Sequence, residues 1–167
     1  MAYEIEKRYY VEGEIPKNDI FKTIKIEQSY ATTNPDVRIR KTEEENQTEY
    51  THCVKYNVSK DIREEIEQNI TKEQYENIKK FIDKEPIVKI RYYIQLENNV
   101  AEVDYFIQED KYIVEVEFET EEQMNNFKKP NWFGDEIEQG KMYSMMMFNR
   151  INSKDCFERL KSYIGGR

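Results

Sequence analysis

The feature that most constrains this chain is the recurrence of two like-charged side chains at positions i and i+2, set among apolar residues. Glu4/Glu6, Glu65/Glu67, Glu102/Asp104 and Glu115/Glu117 are acidic pairs, and Arg38/Arg40 and Lys89/Arg91 are basic ones. Arg8 and Arg63 extend two of the acidic segments, and Lys55 stands alone on its own. The residues between them are mostly apolar: Ile5, Ile39, Ile66, Ile90, Val103 and Val116. A β-strand points i and i+2 to the same side, about 6–7 Å apart, so each segment has one charged and one apolar face. An antiparallel sheet with one solvated face explains any single pair. It does not explain the set, because like charges on one face repel and a stabilising surface mixes signs within a strand. If the charged faces turn inward instead, the carboxylates need cations beside them, since an uncompensated buried charge costs several kcal/mol.

Period-two alternation marks eight strands: Tyr3 to Val11, Phe21 to Tyr30, Val37 to Lys41, Glu49 to Tyr56, Ile62 to Ile70, Ile87 to Leu96, Val100 to Ile107 and Tyr112 to Phe118. Short connections imply antiparallel pairing, and eight strands suffice to close a barrel without edges. The expected class is α+β: a closed eight-stranded antiparallel β-barrel with a few peripheral helices and a C-terminal helix. An open antiparallel sheet with helices on one side is the alternative, because periodicity alone does not prove closure. Helices are expected at Thr71 to Asp83 and Thr120 to Phe127, each opened by a Thr N-cap, and at Met142 to Ile164, placed across or near one mouth of the barrel. The acidic run Thr42 to Gln47 reads as a solvated hairpin loop. With 167 residues, 5 Gly, 4 Pro and no Ser/Gly-rich or Pro-rich linker, residues 1–167 are expected to form a single domain.

Composition narrows the chemistry. Aromatics at 13% argue for a folded chain despite 36% charged residues. A net charge of -8 argues against broad attraction to nucleic acid or an anionic membrane, so neither is expected as a partner. Cys53 and Cys156 are too few for a disulfide framework or a thiolate cage and suit a reducing cytoplasm. No apolar stretch approaches the roughly 20 residues needed to cross a bilayer. His52, the one histidine, alternates to the face opposite Lys55 and reads as structural. Tyr9-Tyr10 and Tyr92-Tyr93 read as packing residues. Carboxylates without a His or Cys cage select hard ions such as Mg²⁺ or Mn²⁺, and paired Arg or Lys side chains match phosphate oxygens. The ligand expected from the residues alone is a metal-complexed polyphosphate.

Glu4-Ile5-Glu6-Lys7-Arg8 resembles the Glu-x-Glu-x-Lys signature that opens the CYTH, or triphosphate tunnel metalloenzyme, superfamily. Val37-Arg38-Ile39-Arg40, Val54-Lys55, Arg63 to Glu67, Val88 to Arg91, Ala101 to Asp104 and Val114 to Phe118 resemble its later strands, in order. Pro130 to Ile137 with Tyr143-Ser144 resembles the stretch before its C-terminal helix, so the match runs from about residue 3 to residue 148. Two departures stand out: alternation places Arg8 where the family usually has Lys, and Met145, in the run Met145-Met146-Met147, stands where many relatives have Asn. The resemblance implies a triphosphate bound inside the tunnel with one or two divalent ions, and hydrolysis of a small triphosphate, inorganic tripolyphosphate first. It assigns catalysis to Glu4, Glu6, Arg8 and Arg63, and substrate binding to Arg8, Arg38, Arg40, Lys55, Lys89 and Arg91. The metal ligands would come from Glu4, Glu6, Glu65, Glu67, Glu102, Asp104, Glu115 and Glu117. Relatives are often homodimers, which makes a second copy an implied partner. A class IV adenylate cyclase and a non-catalytic polyphosphate- or nucleotide-binding module are the competing readings.

Overall fold

A computed structural model describes residues 2–33 and 35–137. The strands are β1 (Ala2–Val11), β2 (Ile20–Thr33), β3 (Asp36–Glu44), β4 (Gln47–Asn57), β5 (Ile62–Asn69), β6 (Ile87–Gln95), β7 (Val100–Phe106), β8 (Lys111–Phe118) and β9 (Phe133–Ile137). Two helices, α1 (Lys72–Lys79) and α2 (Glu121–Asn126), complete the described elements with a single 3-10 turn at Lys17–Asp19. The expected helix at Met142 to Ile164, Tyr143-Ser144, the Met145-Met146-Met147 run and Cys156 lie outside the described residues.

The strand order is β5-β4-β3-β2-β6-β7-β8-β1-β9, and β5 also pairs with β1. Every pairing is antiparallel. Strands β1 to β8 therefore close on themselves, which settles the barrel over the open sheet. The closing seam is short, running from Ala2↔Glu65 to Ile5↔Ile62. Where β5 leaves that edge of β1, the extra strand β9 takes it over, with Arg8↔Ile137 and Val11↔Phe133 in register. A strand this short, directly after Pro130, carries too little alternation to stand out in sequence. Its close approach is permitted by Gly134, where an added Cβ would sit 3.3 Å from the Cβ and carbonyl oxygen of Tyr10.

The run Thr42 to Gln47 corrects the expected loop. Thr42, Glu43 and Glu44 belong to β3 and Gln47 opens β4, so only Glu45 and Asn46 turn, with Glu45 at φ 47. Cross-strand hydrogen bonding outweighs the low strand propensity of a solvated acidic run. Both Thr N-caps are present. Thr71 Oγ1 accepts from the Gln74 amide at 3.0 Å while Gln74 Oε1 accepts from the Thr71 amide at 2.9 Å, a reciprocal capping box. Thr120 Oγ1 accepts from the Gln123 amide at 3.1 Å.

Most of the apolar core lies outside the barrel wall. Tyr9, Ile94, Ala101, Val103, Val114, Val116 and Phe118 form one buried face, covered by Ile15, Met124 and Phe133. That arrangement leaves the other face of the same strands to line the interior. His52 falls on the outer alternation of β4, opposite Ile39, as expected. Among the described residues, no helix is long and apolar enough to cross a membrane.

Candidate functional site

Alternation on each strand sends one set of side chains into the barrel. On β1 these are Glu4, Glu6 and Arg8; on β3, Asp36, Arg38 and Arg40; on β4, Cys53 and Lys55. Strand β5 contributes Arg63, Glu65 and Glu67, β6 contributes Lys89 and Arg91, β7 contributes Glu102 and Asp104, and β8 contributes Glu115 and Glu117. Every sequence-selected site residue thus shares the interior face. The registers Arg38↔Cys53, Lys55↔Glu65, Arg91↔Asp104, Glu102↔Glu115 and Glu6↔Glu117 place them side by side across neighbouring strands. Further along the same face of β2, β6, β7 and β8 come Ile26, Ile87, Phe106 and Ile113, all buried, so the polar lining becomes apolar toward one end. At the other end a cavity of about 1110 Å³ shares Glu102 and Glu117 with the interior.

The interior charges do not behave as one group. Asp104 accepts from Lys89 Nζ at 2.6 Å and from Arg91 Nε and Nη2 at 2.7 and 2.9 Å. Burial disfavours its charge, yet Arg91 and Lys89 overcome that and hold its proton affinity below the usual carboxylate range. Glu115 accepts from Arg8 Nε at 3.0 Å, and Arg8 leads Arg91 and Lys89 in driving its pKa well down against burial. Arg8 Nη2 also contacts Glu6 Oε1 at 3.3 Å. Arg63 is engaged by Asp36, and Lys55 Nζ lies 2.7 Å from Glu4 Oε2 and 3.8 Å from Glu65 Oε2.

Glu4, Glu6, Glu102 and Glu117 form the opposite case. Burial raises the pKa of Glu4, Glu6 and Glu102 despite contacts with Lys55, Arg8 and Arg91 respectively. Glu117, at the exposed mouth, is pushed up to about 7 by the partial burial of its carboxylate and then by repulsion from Glu102, Glu4 and Glu6. Lys55, Arg8 and Arg91 lie 2.7, 3.3 and 3.1 Å from Glu4, Glu6 and Glu102, and each is shared with a second acid, Glu65, Glu115 or Asp104. Glu117 meets no cation among the described residues, so the group has fewer cations than acids. Their oxygen-only donor set and surplus charge fit a hard divalent cation.

Strand β3 supplies the complementary surplus. Arg38 is buried and its Nη1 reaches only the Tyr30 hydroxyl, at 3.4 Å, while its Nε has no partner among the described residues. Arg40 donates to Gln28 Oε1 at 3.0 and 3.3 Å, and neither arginine meets a carboxylate among the described residues. Burial, followed by repulsion from Arg38 and Arg91, lowers Arg40 to about 10. It still carries full charge near neutral pH. Burial likewise lowers Lys89 to about 8, with Arg91 and Arg40 adding to the shift against Asp104.

Sequence reasoning missed Asp36, Tyr30, Gln28 and Cys53 as interior residues. Asp36 was legible, since it continues the Arg38/Arg40 alternation by one step. Tyr30 and Gln28 were not, because β2 has no like-charged pair on its inner face to mark its orientation.

Neither a protein-family model nor a curated protein matches the chain. Solved structures do. The inorganic triphosphatase NE1496 superposes with a TM-score of 0.57 at 26% identity, covering 92% of this chain and 93% of that one. The PH1819 protein of Pyrococcus horikoshii OT3 gives a TM-score of 0.57 at 19% identity over 73% of this chain and 82% of its own. HpAC1 from Hippeastrum, an adenylyl cyclase candidate with a dominant triphosphatase activity, gives 0.50 at 14% identity over 75% and 83%. The last two speak for the fold alone. The chain shares the fold of the inorganic triphosphatase NE1496, consistent with the CYTH, or triphosphate tunnel, superfamily. In this tunnel Arg8 takes the expected Lys position and is held between Glu6 and Glu115, so the fork geometry of a guanidinium bridges two carboxylates that a single ammonium would serve less well.

Proposed function

We propose that this tunnel hydrolyses a small triphosphate, inorganic tripolyphosphate first, in a divalent-metal-dependent reaction that releases orthophosphate. The observation that carries the reading is the separation of two surpluses within one interior. Arg38 and Arg40 have no carboxylate partner among the described residues, while Glu4, Glu6 and Glu102 share their cations with other acids and Glu117 has none there. A polyphosphate complexed with a divalent cation satisfies both at once. NE1496, the 26% identical neighbour, is an inorganic triphosphatase, which supports the same reaction class.

In this reading Glu4, Glu6, Glu102 and Glu117 hold Mg²⁺ or Mn²⁺, and the ion supplies Lewis-acid polarisation of phosphate oxygens. Arg38 and Arg40 bind phosphate oxygens and remain charged throughout. Asp104 fixes Lys89 and Arg91 so that their remaining N–H groups face the same interior, where they offset charge developing in the transition state. Glu115 and Glu6 fix Arg8 in the same way. Lys55, bonded to Glu4, joins the carboxylate group to the basic wall. Arg63 is a positioning residue that anchors Asp36 at the start of β3, below Arg38. The apolar lining at Ile26, Ile87, Phe106 and Ile113 limits how far a charged chain can extend, which favours a short polyphosphate. Residues 1–167 act in this proposal as a single cytoplasmic unit on a small molecule.

The test is phosphate release from tripolyphosphate, ATP and thiamine triphosphate with Mg²⁺ or Mn²⁺, with cyclic AMP measured in parallel. Orthophosphate release that requires metal and falls by at least about a hundredfold in Glu4→Gln/Glu6→Gln is the expected result. Cyclic AMP as the main product from ATP would move the chain to the class IV cyclase reading. Tight metal-dependent binding of tripolyphosphate with no turnover would establish a binding module instead.

A further inference from the structure

Strand β2 carries no acid on the face it turns into the tunnel. Gln28 and Tyr30 point inward there, and the β2–β3 register sets them directly opposite Arg40 and Arg38. Both are buried. Gln28 Oε1 accepts from Arg40 Nη2 at 3.0 Å and from Arg40 Nε at 3.3 Å, side-on to the guanidinium. The Tyr30 hydroxyl accepts from Arg38 Nη1 at 3.4 Å, and Arg38 Nε is buried without a partner among the described residues. The remaining bases assigned to the site each meet a carboxylate. Arg8 meets Glu6 and Glu115, Lys55 meets Glu4, Arg63 meets Asp36, and Lys89 and Arg91 share Asp104. A guanidinium held by a carboxylate is oriented and neutralised together. One held by an amide or phenol oxygen is oriented but keeps its charge, because a neutral acceptor fixes the N–H directions without supplying a counter-ion. Burying such a cation costs stability, and an arriving phosphate oxygen offsets that cost.

We propose that Gln28 and Tyr30 are positioning residues that set the tunnel's affinity for a phosphate chain, by aiming Arg40 and Arg38 through neutral oxygens that leave both cations uncompensated. The inference rests on the triphosphatase reading in taking the anion to be a phosphate chain, and it does not depend on turnover. Neutrality at position 28 is its specific element. A glutamate there has the same shape and reach as Gln28 and would pair bidentately with Arg40, so the fold would gain a counter-charge and the substrate would lose a cation.

The experiment compares the full chain with Gln28→Glu, using inorganic tripolyphosphate with Mn²⁺ as the probe, calorimetry for affinity and denaturant unfolding for stability. Gln28→Glu is expected to weaken tripolyphosphate binding by about tenfold or more, while the ligand-free unfolding midpoint stays level or rises. A merely structural role would lower both together. Gln68→Glu adds the same charge on the outer wall, where Gln68 is exposed opposite His52, and is expected to change affinity by less than about twofold. Tyr30→Phe, which removes only the hydroxyl acceptor, is expected to weaken binding by about threefold, and in turnover to raise KM with kcat changed less. Unchanged affinity in either Gln28→Glu or Tyr30→Phe would overturn the proposal. So would equal losses from Gln28→Glu and Gln68→Glu, or a lowered unfolding midpoint in Gln28→Glu. Wild-type binding without turnover would sink the hydrolase reading and leave this test standing, since affinity is read without chemistry. Failure of the wild type to bind tripolyphosphate would overturn both.

Discussion

Strands β7 and β8 each carry two acids at i and i+2, and the two members of each pair have opposite fates. On β7 the fully buried Asp104 is bound by Lys89 and Arg91 and kept ionised, while Glu102, one inward step nearer the mouth, is pushed toward its neutral form. On β8 Glu115 is held far below the ordinary carboxylate range by Arg8, while Glu117 rises to about 7. The inner ring of acids serves the architecture by neutralising the bases that would bind phosphate. In the outer ring Glu102 has only a share of Arg91, 3.1 Å away, and Glu117 meets no cation among the described residues. A short motif such as Glu-x-Asp therefore holds two acids in different states, and what separates them is how many cations the neighbouring strand brings into reach: Lys89 and Arg91 for Asp104, Arg91 alone for Glu102.

The sharpest way to break that contrast is to neutralise one member at a time. Asp104→Asn leaves Lys89 buried without its counter-charge and Arg91 with Glu102 alone, 3.1 Å away, and is expected to cost about 3–5 kcal/mol in denaturant unfolding. Glu117→Gln, by removing repulsion, is expected to leave the metal-free protein no less stable. Equal losses from the two would show that the acids are not partitioned as described.

Titration separates the rings in the opposite sense. A raised folded-state pKa contributes stability that is present below the unfolded value and lost as pH rises through the folded one. Glu117 therefore favours the metal-free fold at acid pH, and its contribution disappears between the ordinary glutamate range and about pH 7. Glu115 and Asp104, depressed in the fold, contribute stability that is present above the unfolded carboxylate range and lost as pH falls below that range through their lower folded values. Protons and a divalent ion compete for the outer ring, so Mn²⁺ affinity is expected to fall by up to about tenfold per pH unit below about pH 7. In Glu117→Gln that slope should flatten, measured by calorimetric titration across pH. An unchanged slope would place the cation elsewhere.

The smallest effect is expected on the outer wall. Lys41 and Glu43 on β3 share the same i, i+2 spacing and lie 3.1 Å apart, but both are partly exposed. Glu43→Gln should change stability by less than about 0.5 kcal/mol, and less still in high salt. A cost comparable to that of Asp104→Asn would mean that spacing, not burial, governs these pairs.

The sequence was most legible where strands announced their orientation through repeated like charges. Sign-sorted alternation is satisfied better by an enclosed interior than by a solvated sheet, so the inward faces of the strands carrying charged residues followed from Glu4/Glu6 through Glu115/Glu117. Strand β2 had no such mark, and β9 was too short to show any period, so Gln28, Tyr30 and the Phe133–Ile137 strand emerged only from pairing.

By itself, then, the sequence determined which residues share a strand face, because the period of two is a local property of extended backbone. Only the tertiary structure decided which acids meet which bases. Charge compensation acts across strands far apart in sequence, as when Glu115 meets Arg8 and Lys55 meets Glu4. A carboxylate's proton affinity is set by such neighbours and by its depth in the wall, and neither exists until the barrel has closed.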